Sequence, residues 1–233
     1  MHNIDNVRVV ATVSFRRRDS GHNVFITGAA GTGKSYLFET LVAQLKQRHG
    51  HRAVAVTATT GVAATHVNGI TIHAWSGVGK GDADLPEMLD LVRDNAMAKM
   101  NWLNAKVLLV DEVSMLRGEL FELLSRIGCR MRSIADEPFG GIQVVACGDF
   151  YQLPPIAAEA TAAGRIRTDF CFLTKTWKQL AMEKCTLHDV IRQRGDVGFA
   201  SLLSEIRVGM LTHSGENMLK SCSTSVKAGR NPN

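Results

Sequence analysis

The residues with the plainest chemical purpose are Gly28-Ala29-Ala30-Gly31-Thr32-Gly33-Lys34-Ser35. Their spacing fits Gly-x4-Gly-Lys-Ser/Thr, in which glycines let the backbone curl until successive N–H groups face phosphate oxygens. An apolar run, Asn23 to Thr27, precedes the pattern and a helical stripe follows it. The positive end of that helix therefore points at the same anion. Lys34 adds a mobile charge at the β- and γ-phosphates, and Ser35 offers a hydroxyl to magnesium, so the expected ligand is ATP with Mg2+.

A second group is Val107-Leu-Leu-Val-Asp111-Glu112, an apolar strand whose exit carries two carboxylates. Ligands collect at the C-terminal edge of such sheets, where Asp111 can hold hydrated magnesium and Glu112 can orient and deprotonate an attacking water. A third strand leads into Gly148-Asp-Phe-Tyr-Gln152-Leu-Pro-Pro155, which again sets polar groups at that edge. There Gln152 can sense the γ-phosphate.

The elements that must position these groups follow from periodicity. Asn23 to Thr27, Ala53 to Thr57, Val107 to Asp111 and Gln143 to Gly148 are short and apolar throughout, as strands buried on both faces are. Between them Leu37, Leu41 and Leu45 recur at steps of four, and Leu116, Leu120, Leu123, Leu124, Ile127 and Met131 share one helical face. This alternation predicts an α/β domain with a parallel sheet. Near the end, Phe199, Leu202, Leu203 and Ile206 mark a further helix that Gly209 can close as a cap, after a boundary between Cys185 and Arg194.

Composition narrows the function classes. With 45% hydrophobic and 21% charged residues over 233 positions, the chain can bury a sizeable core and is not of the disordered class. No run of eighteen apolar residues occurs, and Met1 to Ser14 has no long apolar stretch behind a basic head, so neither a membrane span nor a secretory signal is expected. An intracellular setting is expected. Cys129, Cys147, Cys171, Cys185 and Cys222 lie far apart, without Cys-x-x-Cys spacing, and read as reduced packing residues. A net charge of +5 suits a polyanionic partner without specifying one, and Arg16, Arg17 and Arg18 read as a solvated loop.

Read in order, the segments resemble the Pif family (petite integration frequency) of 5′-to-3′ DNA helicases, relatives of the RecD group in superfamily one. The likeness covers Gly21 to Gly209. It rests on Asn23 to Ser35, Thr57-Ala-Thr-Thr-Gly-Val-Ala-Ala, Gly69-Ile-Thr-Ile-His-Ala-Trp75, Val110 to Met115, Gly148 to Pro155, and Leu187-His-Asp-Val-Ile-Arg-Gln193. The resemblance implies a P-loop NTPase motor of two RecA-like domains, with ATP between them and single-stranded DNA across their tops. Carried over by position, Gly28 to Ser35 hold phosphate, Ser35 and Asp111 hold magnesium, and Lys34, Asp111, Glu112 and Gln152 run hydrolysis. Arg192 is similar to the arginine that touches the γ-phosphate. Thr59, Thr60 and Gly61 would meet the DNA backbone, and His73 and Trp75 would stack on unpaired bases along the same track.

The implied organisation is an unplaced segment 1–21, a RecA-like motor domain over 22–190, the start of a second motor domain over 191–220, and a frayed tail over 221–233. Two family features are not found: a glutamine before the first strand that reads adenine, and the closing segments of the second motor domain. The sequence is therefore expected to be the front part of a helicase, as a fragment, truncated product or degenerate paralogue. The expected function is an ATP-dependent DNA helicase acting on single strands and duplex junctions in repair, recombination and telomere maintenance, in the nucleus or mitochondrion of a eukaryote. A non-catalytic, nucleotide-responsive DNA-binding module is the second class. A small-molecule P-loop kinase is the third, disfavoured by the Asp111-Glu112 pair together with Gly148 to Pro155.

Overall fold

Short runs of mostly apolar side chains have no face to offer solvent, and the chain buries them between two helical layers. The structure, a computed structural model, describes residues 22–155, 170–189 and 196–228. They form two compact units: the described parts of Met1–Gly28 and Lys34–Leu187, and those of Ala29–Gly33 and His188–Asn233.

In the first unit the elements are β1 (Val24–Gly28), α1 (Lys34–His49), β2 (Val54–Ala58), α2 (Gly61–His66), β3 (Ile70–Thr71), α3 (Ile72–Ser76), α4 (Leu85–Asp94) and α5 (Ala96–Asn104). They continue as β4 (Val107–Asp111), α6 (Gly118–Arg132), β5 (Gln143–Cys147), α7 (Lys175–Leu180) and β6 (Glu183–Leu187). The strands form one sheet in the order β3-β2-β4-β5-β1-β6, parallel at every pairing. Alternate strand residues face opposite layers, as the period of two requires. Val24, Ile26, Val54, Val56, Val107, Leu109, Val145 and Cys147 pack with Leu37, Phe38, Leu41 and Leu45 of α1. Phe25, Ala55, Leu108, Val110, Val144 and Ala146 pack with α3, α4, α5 and α6 on the other side.

The four expected strands are present, with small shifts. β1 begins one residue after Asn23 because that side chain is committed elsewhere: its amide donates to the Leu180 carbonyl at 2.9 Å, and its Oδ1 accepts from the Val144 N–H at 2.7 Å. β3 and β6 were not expected. They are the two edge strands, and β6 is largely exposed along Glu183 and Lys184, so neither carries a fully apolar run. Leu116 is buried but precedes α6 instead of lying on it.

Local chemistry fixes the helix ends. Asp84, Asn95 and Thr174 accept from N–H groups three residues on, capping α4, α5 and α7, and Lys46 and Arg48 set positive charge at the C-terminus of α1. Glu122 on α6 also reaches the start of α7, accepting from the Thr176 N–H at 2.9 Å and its hydroxyl at 2.7 Å.

The second unit contains α8 (Val197–Val208) and α9 (His213–Ala228). Gly209 closes α8 in the left-handed region at φ 69°, as expected. The expected frayed tail is corrected over 221–228, which is helical; no Gly or Pro falls between Gly215 and Gly229 to stop α9. Among the described residues no helix is long and apolar enough to cross a membrane. Cys129, Cys147 and Cys171 are free thiols.

Candidate functional site

In an all-parallel sheet every strand delivers its C-terminal end to one edge, and here those ends carry the polar residues. The register sets Ala58 beside Asp111, and Gly28 beside Leu187. Asp111 and Glu112 leave β4 next to Thr59 leaving β2, and Gly148 leaves β5 with its N–H donated to the Ile26 carbonyl of β1 at 3.1 Å.

The segment Ala29–Gly33 links β1 to α1. Gly31 and Gly33 have φ of 77° and 89°, a region that glycine enters without strain, and the Thr32 hydroxyl donates to the Ala29 carbonyl at 2.9 Å. Lys34 begins α1 and its ammonium donates to the Gly28 carbonyl at 2.8 Å, while Ser35 is exposed in the first helical turn.

Asp111 is buried at the end of β4, where its Oδ1 accepts the Glu112 N–H at 2.9 Å. Burial pushes its carboxyl above the ordinary range. Hydrogen bonds from the Glu112 N–H and the Cys147 thiol, and the charges of Lys34 and His66, act in the opposite sense. The Glu112 carboxyl is also raised, first by burial and then by the negative charges of Asp111 and Asp149, against the pull of Lys34. One ammonium thus acts on both carboxylates. Glu112 also stands in the left-handed region at φ 52°, ψ 40°, which is uncommon for a side chain of its size.

Gln152 is exposed but not loose. Its amide donates to Asp149 Oδ2 at 2.9 Å, and the Tyr151 N–H donates to Asp149 Oδ1 at 3.1 Å. Asp149 itself is only 1% exposed. Phe150, between them, lies in an aromatic cluster with Phe25, Phe170, Phe172 and Trp177, which anchors the segment to the core. Sequence reasoning missed Asp149 and Cys147 as orienting groups. The signal for Asp149 was its place two residues past a buried strand and three residues before Gln152; Cys147 is not distinguishable from a core cysteine by type.

The residues expected along a nucleic acid divide. Thr59, Thr60 and Gly61 lie together at the mouth of β2, partly or fully exposed. His73 is half-buried, and burial, with the Arg117 charge, lowers its pKa and so favours the neutral imidazole. Trp75 requires correction. It is 4% exposed on α3, with its ring 4.7 Å from that of Trp102, and has no face left for a base. α3 turns it inward, where it joins the cluster formed with α4 and α5. Arg192 lies outside the described residues, as do Arg16, Arg17 and Arg18.

The sequence pattern of the family described as PIF1-like helicase matches residues 3–217. The chain is 42% identical over 205 residues to ATP-dependent DNA helicase PIF1 of Saccharomyces cerevisiae (strain YJM789), which is 88% of this chain and 23% of that protein. It thus spans about a quarter of the yeast relative's length. The crystal structure of Pif1 helicase from Candida albicans superposes with a TM-score of 0.82 at 35% identity, covering 92% of this chain and 46% of that one. A Bacteroides Pif1 helicase in complex with ADP-AlF3 and single-stranded DNA gives 0.72 at 25% identity, covering 94% and 49%. Alongside the strand-edge arrangement of Lys34, Asp111, Glu112 and Gln152, the match over 3–217 establishes that the chain belongs to the PIF1-like helicase family.

Proposed function

We propose that this chain is the ATP-hydrolysing front motor domain of a DNA helicase. The observation that carries the reading is the gathering of Lys34, whose ammonium donates to the Gly28 carbonyl at the end of β1, with Asp111 and Glu112 at the end of β4, on the C-terminal edge of one parallel sheet. Here Gly28, Ala29, Ala30, Gly31, Thr32, Gly33 and Lys34 bind the phosphates, and Glu112 accepts the proton of the attacking water. Gln152, held by Asp149, reads the γ-phosphate, and Arg192 supplies a cation to it.

Magnesium fits the donors present. Mg2+ takes one or two protein oxygens and keeps the rest of its shell for water and phosphate, which suits one carboxylate, Asp111, and one hydroxyl, Ser35. The raised Asp111 carboxyl is a buried charge that a cation would relieve. When bound, the ion supplies charge neutralisation at the β- and γ-phosphates.

Single-stranded DNA is the proposed track. The Bacteroides relative is described in complex with it, and Thr60, Gly61 and His73 present a hydroxyl, an exposed backbone and an imidazole at the surface of this chain. The resemblance further supports 5′-to-3′ movement, action at duplex junctions in repair, recombination and telomere maintenance, and a nuclear or mitochondrial setting. In this reading residues 22–190 are the motor domain and 191–220 begin a second one.

The test is steady-state ATP hydrolysis by the whole protein with and without oligothymidylate, beside Glu112→Gln. Stimulation by DNA, with turnover in E112Q lower by about a hundredfold or more, is expected. Hydrolysis that ignores both the oligonucleotide and the substitution would remove the reading.

A further inference from the structure

Two adjacent threonines at the mouth of β2 carry the same side chain and have opposite hydrogen-bond commitments. The Thr60 hydroxyl accepts the Ala63 N–H at 3.2 Å, capping α2, so its own proton is spent on no acceptor among the described residues. The Thr59 hydroxyl instead donates, to the Glu112 carbonyl at 3.0 Å. A hydroxyl has one proton, and an ionised phosphate can only accept. While this bond stands, Thr59 cannot donate to a DNA phosphate, whereas Thr60 can.

The Thr59 bond is one of a pair. The Thr59 N–H also donates to the Asp111 carbonyl at 3.3 Å, extending the β2–β4 register by a step past Ala58 and Asp111. Glu112, whose carbonyl takes the hydroxyl, is one of few non-glycine residues in the left-handed region, and such a conformation persists only where its surroundings fix it. Its carbonyl also accepts the Met115 N–H at 3.0 Å, closing the turn that follows. Thr59 is thus the side-chain tie between the backbone of the two carboxylate residues and the segment Thr60–Gly61 that starts α2.

We infer that Thr59 is a positioning residue. It holds the Glu112 peptide in the conformation from which the carboxylate works, and it couples that conformation to the Thr60–Gly61 segment, so that a phosphate taken by Thr60 is felt at Glu112. The inference rests on the reading of Glu112 as the water-activating group and adds to it a route by which DNA can regulate hydrolysis. Of the two threonines, only Thr60 contacts the nucleic acid directly.

The experiment compares Thr59→Val, Thr59→Ala and Thr59→Ser in the whole protein, with E112Q alongside. Val keeps the shape and the backbone N–H and loses only the hydroxyl; Ala is a second hydroxyl-free variant should Val fold poorly. We expect T59V and T59A to lower DNA-stimulated kcat by about tenfold or more, as small misplacements of a catalytic group do. The KM for ATP and the affinity for oligothymidylate should stay within about threefold of the parent, since neither phosphate set is touched. T59S should restore turnover. Parental kcat in T59V and T59A, with E112Q slow, overturns the inference alone. A loss of oligothymidylate affinity as large as the loss of turnover would mark Thr59 as a direct phosphate contact and also overturn it. Parental turnover in E112Q would remove the hydrolytic reading of Glu112 and the inference with it.

Discussion

At the scale of single residues, the charge of Asp111 is unfavourable in the free protein and useful only with a cation. Its folded-state pKa is raised above the ordinary value of about 3.9, mainly by burial. The sign follows: the carboxyl favours the fold while protonated, and that contribution is lost as pH rises from about 4 through the raised value. Asp111→Asn keeps an oxygen to accept from the Glu112 N–H and the Cys147 thiol and removes the charge. Without nucleotide, D111N should melt higher than the parent at pH 7, and the difference should shrink toward pH 4. Melting curves at several pH values check this, and a lower Tm for D111N at pH 7 would contradict it. With magnesium and ATP the order should reverse, because only the parent gains a bound metal. The phosphate loop, Asp111 and Glu112 were legible because each sits where an apolar strand meets a turn, a context readable from residue type alone. The bonds that orient them were not: nothing in Thr59-Thr60 says which hydroxyl donates and which accepts.

At the scale of elements, the central strands were legible and the edges were not, for one physical reason. β1, β2, β4 and β5 are buried along their whole length and so are mostly apolar, with one buried polar residue each in Thr27, Thr57, Asp111 and Gln143. β6 has one covered side, and Glu183-Lys184-Cys185-Thr186-Leu187 reads like a loop. The same limit explains Trp75. The motif around it gives its order along the chain, but which way α3 faces is decided by packing against Trp102, whose indole N–H also donates to the Ser76 carbonyl. Trp75→Ala should therefore act on stability, costing about 3–5 kcal/mol by chemical denaturation. Trp75→Phe should keep its oligothymidylate affinity within about twofold, since the ring meets no base. A tenfold weaker affinity in folded W75F would return Trp75 to the nucleic-acid surface.

At the scale of the whole molecule, the chain covers 46% of the Candida albicans Pif1 helicase structure and 23% of the yeast relative. Translocation requires two bodies whose separation changes with nucleotide state, and the described side chains of α8 and α9 are mostly exposed. The 233 residues alone are predicted to bind magnesium-ATP weakly and to separate no strands. The same chain joined to a complete second motor domain is predicted to unwind a 5′-tailed duplex in preference to a 3′-tailed one. A fluorescence unwinding assay decides both, and robust unwinding by the short chain would contradict the first. The claim beneath all of these is that Lys34, Ser35 and Asp111 serve a magnesium-bound nucleoside triphosphate. Its most direct test is calorimetric titration of a non-hydrolysable ATP analogue into the 233-residue chain and into Lys34→Ala, each with magnesium and with EDTA. The account predicts saturable binding by the parent that needs magnesium and weakens by about tenfold or more in K34A, which removes a charge-assisted contact and leaves the core alone. Equal affinity in parent and K34A, or binding indifferent to magnesium, would contradict it.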